Sequence, residues 1–544
     1  MNSKILAVLI ATVVVIGGIS AYVMLNNDDN SNGDEIDKII IGTTMSFPSL
    51  TDTYIYEVKR MITQETLVNT DAQGNFIGLL AETWEEVGTT WTFYLKEDVV
   101  WSDGEPFDAD DVMYTFEIGA ERRASVHSVI KDFTKVDKYT VEVELANPMY
   151  NFMYSLMNMP IMPEHKWKDI NWSDSTAYTN YTGLDGRIGT GPYVLKGLDT
   201  DAKELKFEAN ENFRDGAPNA KELIFKTYDN ETTMLLALTF GDVDTVYRYG
   251  SAGVSNQFIK GIQNVASLKL SIVPGFVGIP STIFFNYRHE FSSNEDFRLA
   301  IKYAIDYDDL IRTFAPDTGV NAREGVIPEG MEGWTDTDRL QRNLDLAKDH
   351  MDRFFKSRDT TFANAGPVDI KVAIPATDLV SQRIVDVLKI HLSSIKVNIA
   401  TIDTDSTQIS GAASGAAFTL FFTTPAAARG FDGFLTHYAM GALGLVFNRD
   451  AGTAPLRDQS TYSAVEWKVY TDYKDIRAKL RSTSATERGE AEIAMQQFYG
   501  DHALIIPMYW DSFVQPYNAK YEGFTVHADW GILCYETFFG LKYA

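Results

Sequence analysis

The 544-residue chain has a single cysteine, Cys534. One thiol can close neither an intramolecular disulfide nor a cysteine-based zinc site, so neither device holds this protein together. Cys534 stands among Trp530, Leu533, Tyr535 and Phe538, the setting of a packing thiol rather than a nucleophile. The chain also lacks a G-x-S-x-G elbow, an H-E-x-x-H helix and a phosphate-cradling glycine loop. No catalytic residue and no cofactor is therefore expected, and the chain reads as a non-enzyme. Its eight histidines are scattered without a metal-spaced pair, so no metal ligand is assigned. Basic residues are scarce: 48 Lys and Arg face 75 Asp and Glu, for a net charge of −27. Such a surface repels phosphate backbones and anionic headgroups, which excludes nucleic acid as a partner. Repeats, low-complexity tracts and a Pro/Gly/Ser linker between the halves are missing too.

Only one apolar run is long enough to cross a bilayer. It extends from Ile5 to Leu25 after Lys4, about 21 residues where about 20 are needed. Positive charge before the run and acidic residues after it orient the remainder outward. Residues 1–25 therefore read as a single-pass membrane anchor, or as a signal segment cut near Ser20-Ala21. Residues 26–35, polar and acidic, read as a tether. The ectodomain is expected on the extracytoplasmic side of the cell membrane.

Beyond residue 35, strand and helix patterns alternate. Ile39-Ile40-Ile41 suits a buried strand, and Trp91 to Leu95 and Thr140 to Leu145 alternate as one-face-exposed strands do. Asp108 opens a helix with Val112, Phe116 and Ile118 on one face. Phe297 to Phe314 predicts one amphipathic helix. Ser381 to Leu392 predicts another, followed by the strand-like Val397-Asn398-Ile399. Glu487 to Tyr499 is helical in pattern, and an apolar run from Ala503 to Tyr509 follows. This mixture is that of an α/β protein. A second domain without a linker is expected to be inserted in the first, and a cleft between lobes is where solutes sit.

Several blocks stand in a fixed order. Leu80-Ala81-Glu82-Thr83-Trp84 leads to Trp91-Thr92-Phe93-Tyr94-Leu95, then to Val100-Trp101-Ser102-Asp103-Gly104-Glu105-Pro106-Phe107 and Asp108-Ala109-Asp110-Asp111-Val112. Read physically, this is a strand, a tight turn at Ser102-Asp103-Gly104 and a helix capped by Asp108. Gly189-Thr190-Gly191-Pro192-Tyr193, Asn210-Glu211-Asn212-Phe213, Phe240-Gly241-Asp242, Phe284-Phe285-Asn286 with Phe297-Arg298, and Ile505-Ile506-Pro507 follow. As an ordered set over roughly residues 38–544, these blocks resemble the family 5 solute-binding proteins of ABC transporters, the oligopeptide, dipeptide and nickel-chelate receptors.

The resemblance implies a large two-lobe periplasmic-binding-protein-like fold, type II and cluster C-like, with a hinge and an interlobe cleft. Lobe one would take residues 36–283 plus 511–544, and lobe two, the insertion, residues 284–510. Phe284-Phe285 and Tyr509-Trp510 would mark the hinge. The implied function is capture of a solute by lobe closure and its delivery to ABC permease subunits, by a monomer. A short peptide is the first ligand expected, with a nickel or other metal chelate and an oligosaccharide as alternatives; an anchored ligand sensor is the alternative class. The peptide receptors' amine-anchoring aspartate falls near Ala427 here, with Asp432 close by. The candidate ligand residues are Met45 and Phe47 after the first strand, Trp101, Arg123, the stretch bearing Thr424, Arg429, Phe431 and Asp432, and Tyr509 and Trp510. The methionines 149, 153, 157, 159 and 162 are expected in a core.

Overall fold

The computed structural model describes most of residues 36–544. It leaves out residues 1–35 and, further on, chiefly 51–57, 122–128, 171–187, 248–253, 274–281, 326–333, 404–416 and 424–463, with a few shorter stretches. Three main sheets organise the described residues. The first has seven strands in the order Leu268–Val273, Phe513–Asn518, Thr245–Tyr247, Ile36–Thr43, Ala220–Thr227, Glu204–Ala209 and Tyr193–Asp199. Ile36–Thr43 lies centrally and runs parallel to both neighbours. A parallel central strand is covered on both faces, which is why its sequence is a run of isoleucines. Ile39 and Ile41 enter one core and Ile40 packs against another on the opposite face.

The second sheet is an antiparallel set of four: Ala81–Val87, Thr90–Leu95, Thr140–Leu145 and Ile130–Asp137. Only one face is covered, so its strands alternate. Trp91, Phe93 and Leu95 lie opposite Val141, Val143 and Leu145 in one core, while the intervening Thr92, Tyr94 and Glu142 turn the other way. The helix Ala109–Glu121 seals the apolar side with Val112 and Phe116. Its start is fixed by side-chain caps: Asp110 N–H donates to Asp108 Oδ1 at 2.8 Å. Gly104, at φ 91°, supplies the positive φ that the preceding turn needs. Met153 and Met157 are buried in this same core, with Met149 and Met159 packed against it.

The third sheet has five strands in the order Val397–Asp403, Val368–Ile374, Leu420–Thr423, Thr282–Phe285 and Ile505–Pro507. The chain thus leaves the seven-stranded sheet after Val273 and is in the five-stranded sheet by Thr282. It returns between Pro507 and Phe513. The return passage is tied to a loop of the second body: Val320 and Trp510 exchange backbone hydrogen bonds of 2.7 and 2.9 Å, and Ser512 Oγ donates to the Thr318 carbonyl at 2.7 Å. Phe284-Phe285 is not at this crossing. Four consecutive buried residues make Thr282–Phe285 a paired inner strand, with Phe284 opposite both Phe421 and Ile505.

Around the third sheet, the expected helix across Phe297–Phe314 is two helices, Glu295–Ala304 and Tyr307–Phe314. Ile305 is extended, and Asp306 caps the second helix by accepting from Asp309 N–H at 3.0 Å. Leu379–Ser393 and Ala485–Asp501 form as expected. Among the described residues no helix is long and apolar enough to cross a membrane; the apolar run of residues 5–25 lies outside them.

Candidate functional site

The family-like blocks are far apart in sequence but meet in space. Ser102 N–H donates to the Gly189 carbonyl at 2.9 Å, and Gly191 N–H to the Thr63 carbonyl at 3.1 Å. Asn210 Nδ2 donates to the Gly191 carbonyl at 2.8 Å and Asn212 Nδ2 to that of Ser102 at 3.3 Å. The glycines are needed for this approach: a Cβ on Gly189 would lie 1.7 Å from the Thr63 carbonyl oxygen, and one on Gly191 2.8 Å from the Thr63 carbonyl carbon. These motifs therefore build a scaffold under the segment that begins at Thr63.

A buried ion pair locks the same segment. Arg214 donates bidentately to Glu65, at 2.7 and 2.8 Å, with both side chains almost wholly out of solvent. Tyr535 O–H donates to Glu65 Oε1 at 2.7 Å, and the guanidinium lies over the Phe213 ring. Burial opposes the charge on Arg214, but the Glu65 carboxylate outweighs it and raises the guanidinium further above its ordinary value. One carboxylate thus ties residues 65, 214 and 535 together.

Beside this clamp lies a cavity of about 60 Å³, room for several waters or for the head of a larger ligand. Its apolar wall comes from Ile77, Leu79, Met157, Pro160 and Leu533. Its polar lining comes from Gln64, Thr66, Asn69 and Thr70 of one chain segment and His527, Cys534, Tyr535 and Glu536 of another. A few convergent polar groups in a concave, partly apolar wall are what solute sites are made of. His527 is 1% exposed, and its Nε2 lies 2.9 Å from the Thr70 carbonyl. A carbonyl can only accept, so Nε2 carries a proton. Burial, followed by the charge of Glu536, pushes the Cys534 thiol up to about 12; it remains protonated and unreactive.

None of the five sequence candidates among the described residues lines this cavity. Phe47 is buried, and Met45 half-buried, against the core of the seven-stranded sheet. Trp101 is 1% exposed, packs edge-on against Phe107, and donates its indole N–H to Asp111 Oδ2 at 3.1 Å. It is a packing residue. Tyr509 and Trp510 are buried in the core of the five-stranded sheet, with Tyr509 stacked on Phe314. The Trp510 indole N–H has no hydrogen-bond partner among the described residues. Arg123, Thr424, Arg429, Phe431 and Asp432 lie outside the described residues. Local pattern gave no sign of His527 or Glu536, because the cavity brings together distant segments, with Thr70 and His527 457 residues apart. Among the described residues no group of three or more His, Cys, Asp or Glu could hold a metal.

Residues 75–439 match the family described as bacterial extracellular solute-binding proteins, family 5 Middle. Among curated proteins, the nickel-binding periplasmic protein of Escherichia coli (strain K12) is 25% identical over 374 residues, which cover 65% of this chain and 69% of that protein. The dipeptide-binding protein of the same organism is 25% identical over 284 residues, covering 47% and 50%. For most of these relatives the matched segment spans about half their length. Among solved structures, NikA from Brucella suis in complex with Fe(III)-EDTA superposes with a TM-score of 0.77 at 17% identity, over 93% of this chain and 100% of that one. DppA from Helicobacter pylori in complex with the peptide STSA gives 0.69 at 17% identity, over 94% and 98%. The fold is the mixed α/β, two-lobe periplasmic-binding-protein architecture. With more than half of its length inside the family match, and with the family's blocks forming one scaffold, the chain belongs to the bacterial extracellular solute-binding proteins of family 5.

Proposed function

We propose that this chain is the extracytoplasmic substrate-binding component of an ABC importer, and that it captures a short peptide between its lobes and delivers it unaltered to the permease subunits. The supporting observation is the double passage of the backbone between two sheet bodies, with a polar-walled cavity on the body that holds both ends of the described chain. A molecule threaded twice can close around a solute without unfolding either body, and closure requires a ligand that favours the closed state. Lobe one would comprise residues 36–283 plus 511–544 and lobe two residues 284–510. Sheet membership favours drawing the first crossing back to between Val273 and Thr282. Residues 5–25 would anchor the molecule and residues 26–35 tether it. It would act as a monomer.

Mass spectrometry of solute co-purifying with residues 36–544 tests the ligand. Short peptides are expected; a sugar would overturn the peptide reading. A nickel or other metal chelate is the second reading, favoured by the nickel-binding periplasmic protein among the relatives and by the Fe(III)-EDTA complex among the structural neighbours. Small-angle scattering should show a smaller radius of gyration when the solute is bound, and an unchanged radius would sink the closure mechanism.

A further inference from the structure

We propose that Asn230 is a glycan acceptor, N-glycosylated on the outer side of the membrane from a lipid-linked sugar phosphate or pyrophosphate; the inference rests on the extracytoplasmic placement proposed above. Asn230-Glu231-Thr232 is an N-x-T sequence without proline at its centre. That is the acceptor pattern for N-glycosylation, and it requires a surface position in an exported chain. Asn230 lies on the turn between the strand Ala220–Thr227 and the helix Glu231–Phe240. Both Asn230 and Thr232 are exposed.

The protein uses only one end of the Asn230 amide. Oδ1 caps the helix by accepting from Thr233 N–H at 3.0 Å. The side-chain nitrogen, which would carry the sugar, has no hydrogen-bond partner among the described residues, and neither has the Thr232 hydroxyl. The Thr233 hydroxyl, by contrast, donates to the Asn230 carbonyl at 2.9 Å. Asn294 and Asn343 cap helices in the same way. Two residues after each stands an aspartate, Asp296 and Asp345, so neither fits the acceptor pattern. Capping needs only an oxygen, which aspartate supplies as well, with a charge that suits the helix dipole. The free amide nitrogen and the free hydroxyl are what capping leaves unexplained at Asn230.

In the transfer, the Asn230 nitrogen bonds to the anomeric carbon of the sugar. The bond from that carbon to the lipid phosphate oxygen breaks, the phosphate leaves with the electron pair, and one amide proton is lost to solvent. One N–H remains, and Oδ1 still accepts from Thr233 N–H, so the cap survives the modification.

Tryptic mass mapping of the full chain, isolated from the membranes of its own host, tests this. The peptide Thr227–Arg248 contains Asn230 and no second N-x-S/T sequence. It should carry sugar units on Asn230 in the wild type and in Thr232→Ser. The sugar should be lost completely in Thr232→Ala and in Asn230→Asp. Asn230→Asp keeps the capping oxygen, so a melting temperature equal to that of deglycosylated wild type separates loss of the acceptor from loss of the fold. Protease added to intact cells reports the location. If the chain is cut from outside and the peptide is bare, or if the adduct survives Thr232→Ala, the proposal fails and the receptor reading stands. If the chain is protected and the peptide is bare, the extracytoplasmic placement fails and the proposal with it.

Discussion

Arg214 and Arg298 are both buried guanidinium groups, and the two lobes neutralise them differently. In lobe one, Arg214 meets a carboxylate, Glu65, in a two-pronged pair with Tyr535 as a third member. In lobe two, Arg298 is 3% exposed and meets no carboxylate among the described residues. It donates instead to the carbonyls of Ser292 and Ser293 at 3.0 Å and to those of His502 and Ala503 at 3.1 to 3.3 Å, and it lies over the Tyr287 ring. The first arrangement joins three segments through one charge pair. The second uses one side chain to join the turn before the helix Glu295–Ala304 to the turn after the helix Ala485–Asp501 through four backbone carbonyls. The difference lies in what remains when one member is lost: a stranded charge in lobe one, a set of unpaired carbonyls in lobe two.

That contrast is sharpest at Glu65. Glu65→Leu should lower unfolding stability by about 3–5 kcal/mol, because it leaves Arg214 charged and buried without a partner. Glu65→Leu with Arg214→Met should recover most of this, leaving about 1–2 kcal/mol for the lost tyrosine acceptor. Urea denaturation of the single and double variants gives both numbers. Equal losses would mean that the pair acts by shape and not by charge.

Arg298→Met should cost about 3–4 kcal/mol by the same measurement, since several buried carbonyls lose their donor at once. Here no second substitution should rescue, because the partners are backbone. Arg298→Lys should recover less than half, as an ammonium cannot reproduce the planar fork. Rescue of Arg298→Met by any single carboxylate removal would break the distinction between the lobes.

Lobe one also buries a carboxylate that meets no cation among the described residues. Asp111 is 5% exposed and accepts hydrogen bonds from Trp101 Nε1 and from the N–H groups of Glu164 and Asp108. Burial raises its pKa to about 6, and those hydrogen bonds only partly offset the rise. The sign follows from linkage. With a native value above the unfolded 3.8, the folded state holds the proton more tightly. The associated stability is fully present below about pH 4 and is lost as pH rises to about 6, a change of about 2–3 kcal/mol. Thermal melts from about pH 3.5 to about 7, which brackets the unfolded and native values, should show this step in the wild type, and Asp111→Asn should flatten it. A difference curve with no slope in that window would show that the hydrogen bonds prevail over burial.

How far the sequence discloses such features depends on their range. Alternation placed Thr90–Leu95 and Thr140–Leu145, since one face is covered and the other is wet. The isoleucine run placed the central strand for the opposite reason. The division at Ile305-Asp306 was written in the sequence too, as an N-cap aspartate inside a periodic stretch, but periodicity alone reads through it. At the site, local reading favoured aromatics near strand ends, and Trp101, Tyr509 and Trp510 proved to be core. Size and apolarity are what both cores and ligand platforms require, so neither property separates them. The Tyr535–Glu65 contact joins residues 470 apart, and no pattern within either segment signals the other. The glycines at 189 and 191 carried a trace of it: each requires a backbone neighbour that the sequence does not name.

The smallest effect concerns an ion pair that runs from one lobe toward the other. Lys260 Nζ, on the helix Asn256–Gln263, lies 3.5 Å from Asp317 Oδ2, with side chains 70% and 35% exposed. Water screens such a pair, and holding two side chains in register costs entropy. Lys260→Ala should therefore change unfolding stability by less than about 0.5 kcal/mol, an order of magnitude below the Glu65 variant. Its position next to the Thr318–Ser512 and Val320–Trp510 links still puts it at the return passage, the hinge of the closure proposed above. Any influence should therefore appear in the open–closed balance rather than in unfolding, and should shrink with added salt. Scattering profiles of Lys260→Ala at low and high salt compare the two. A stability loss as large as that of Glu65→Leu would erase the contrast between buried and exposed charge on which these expectations rest.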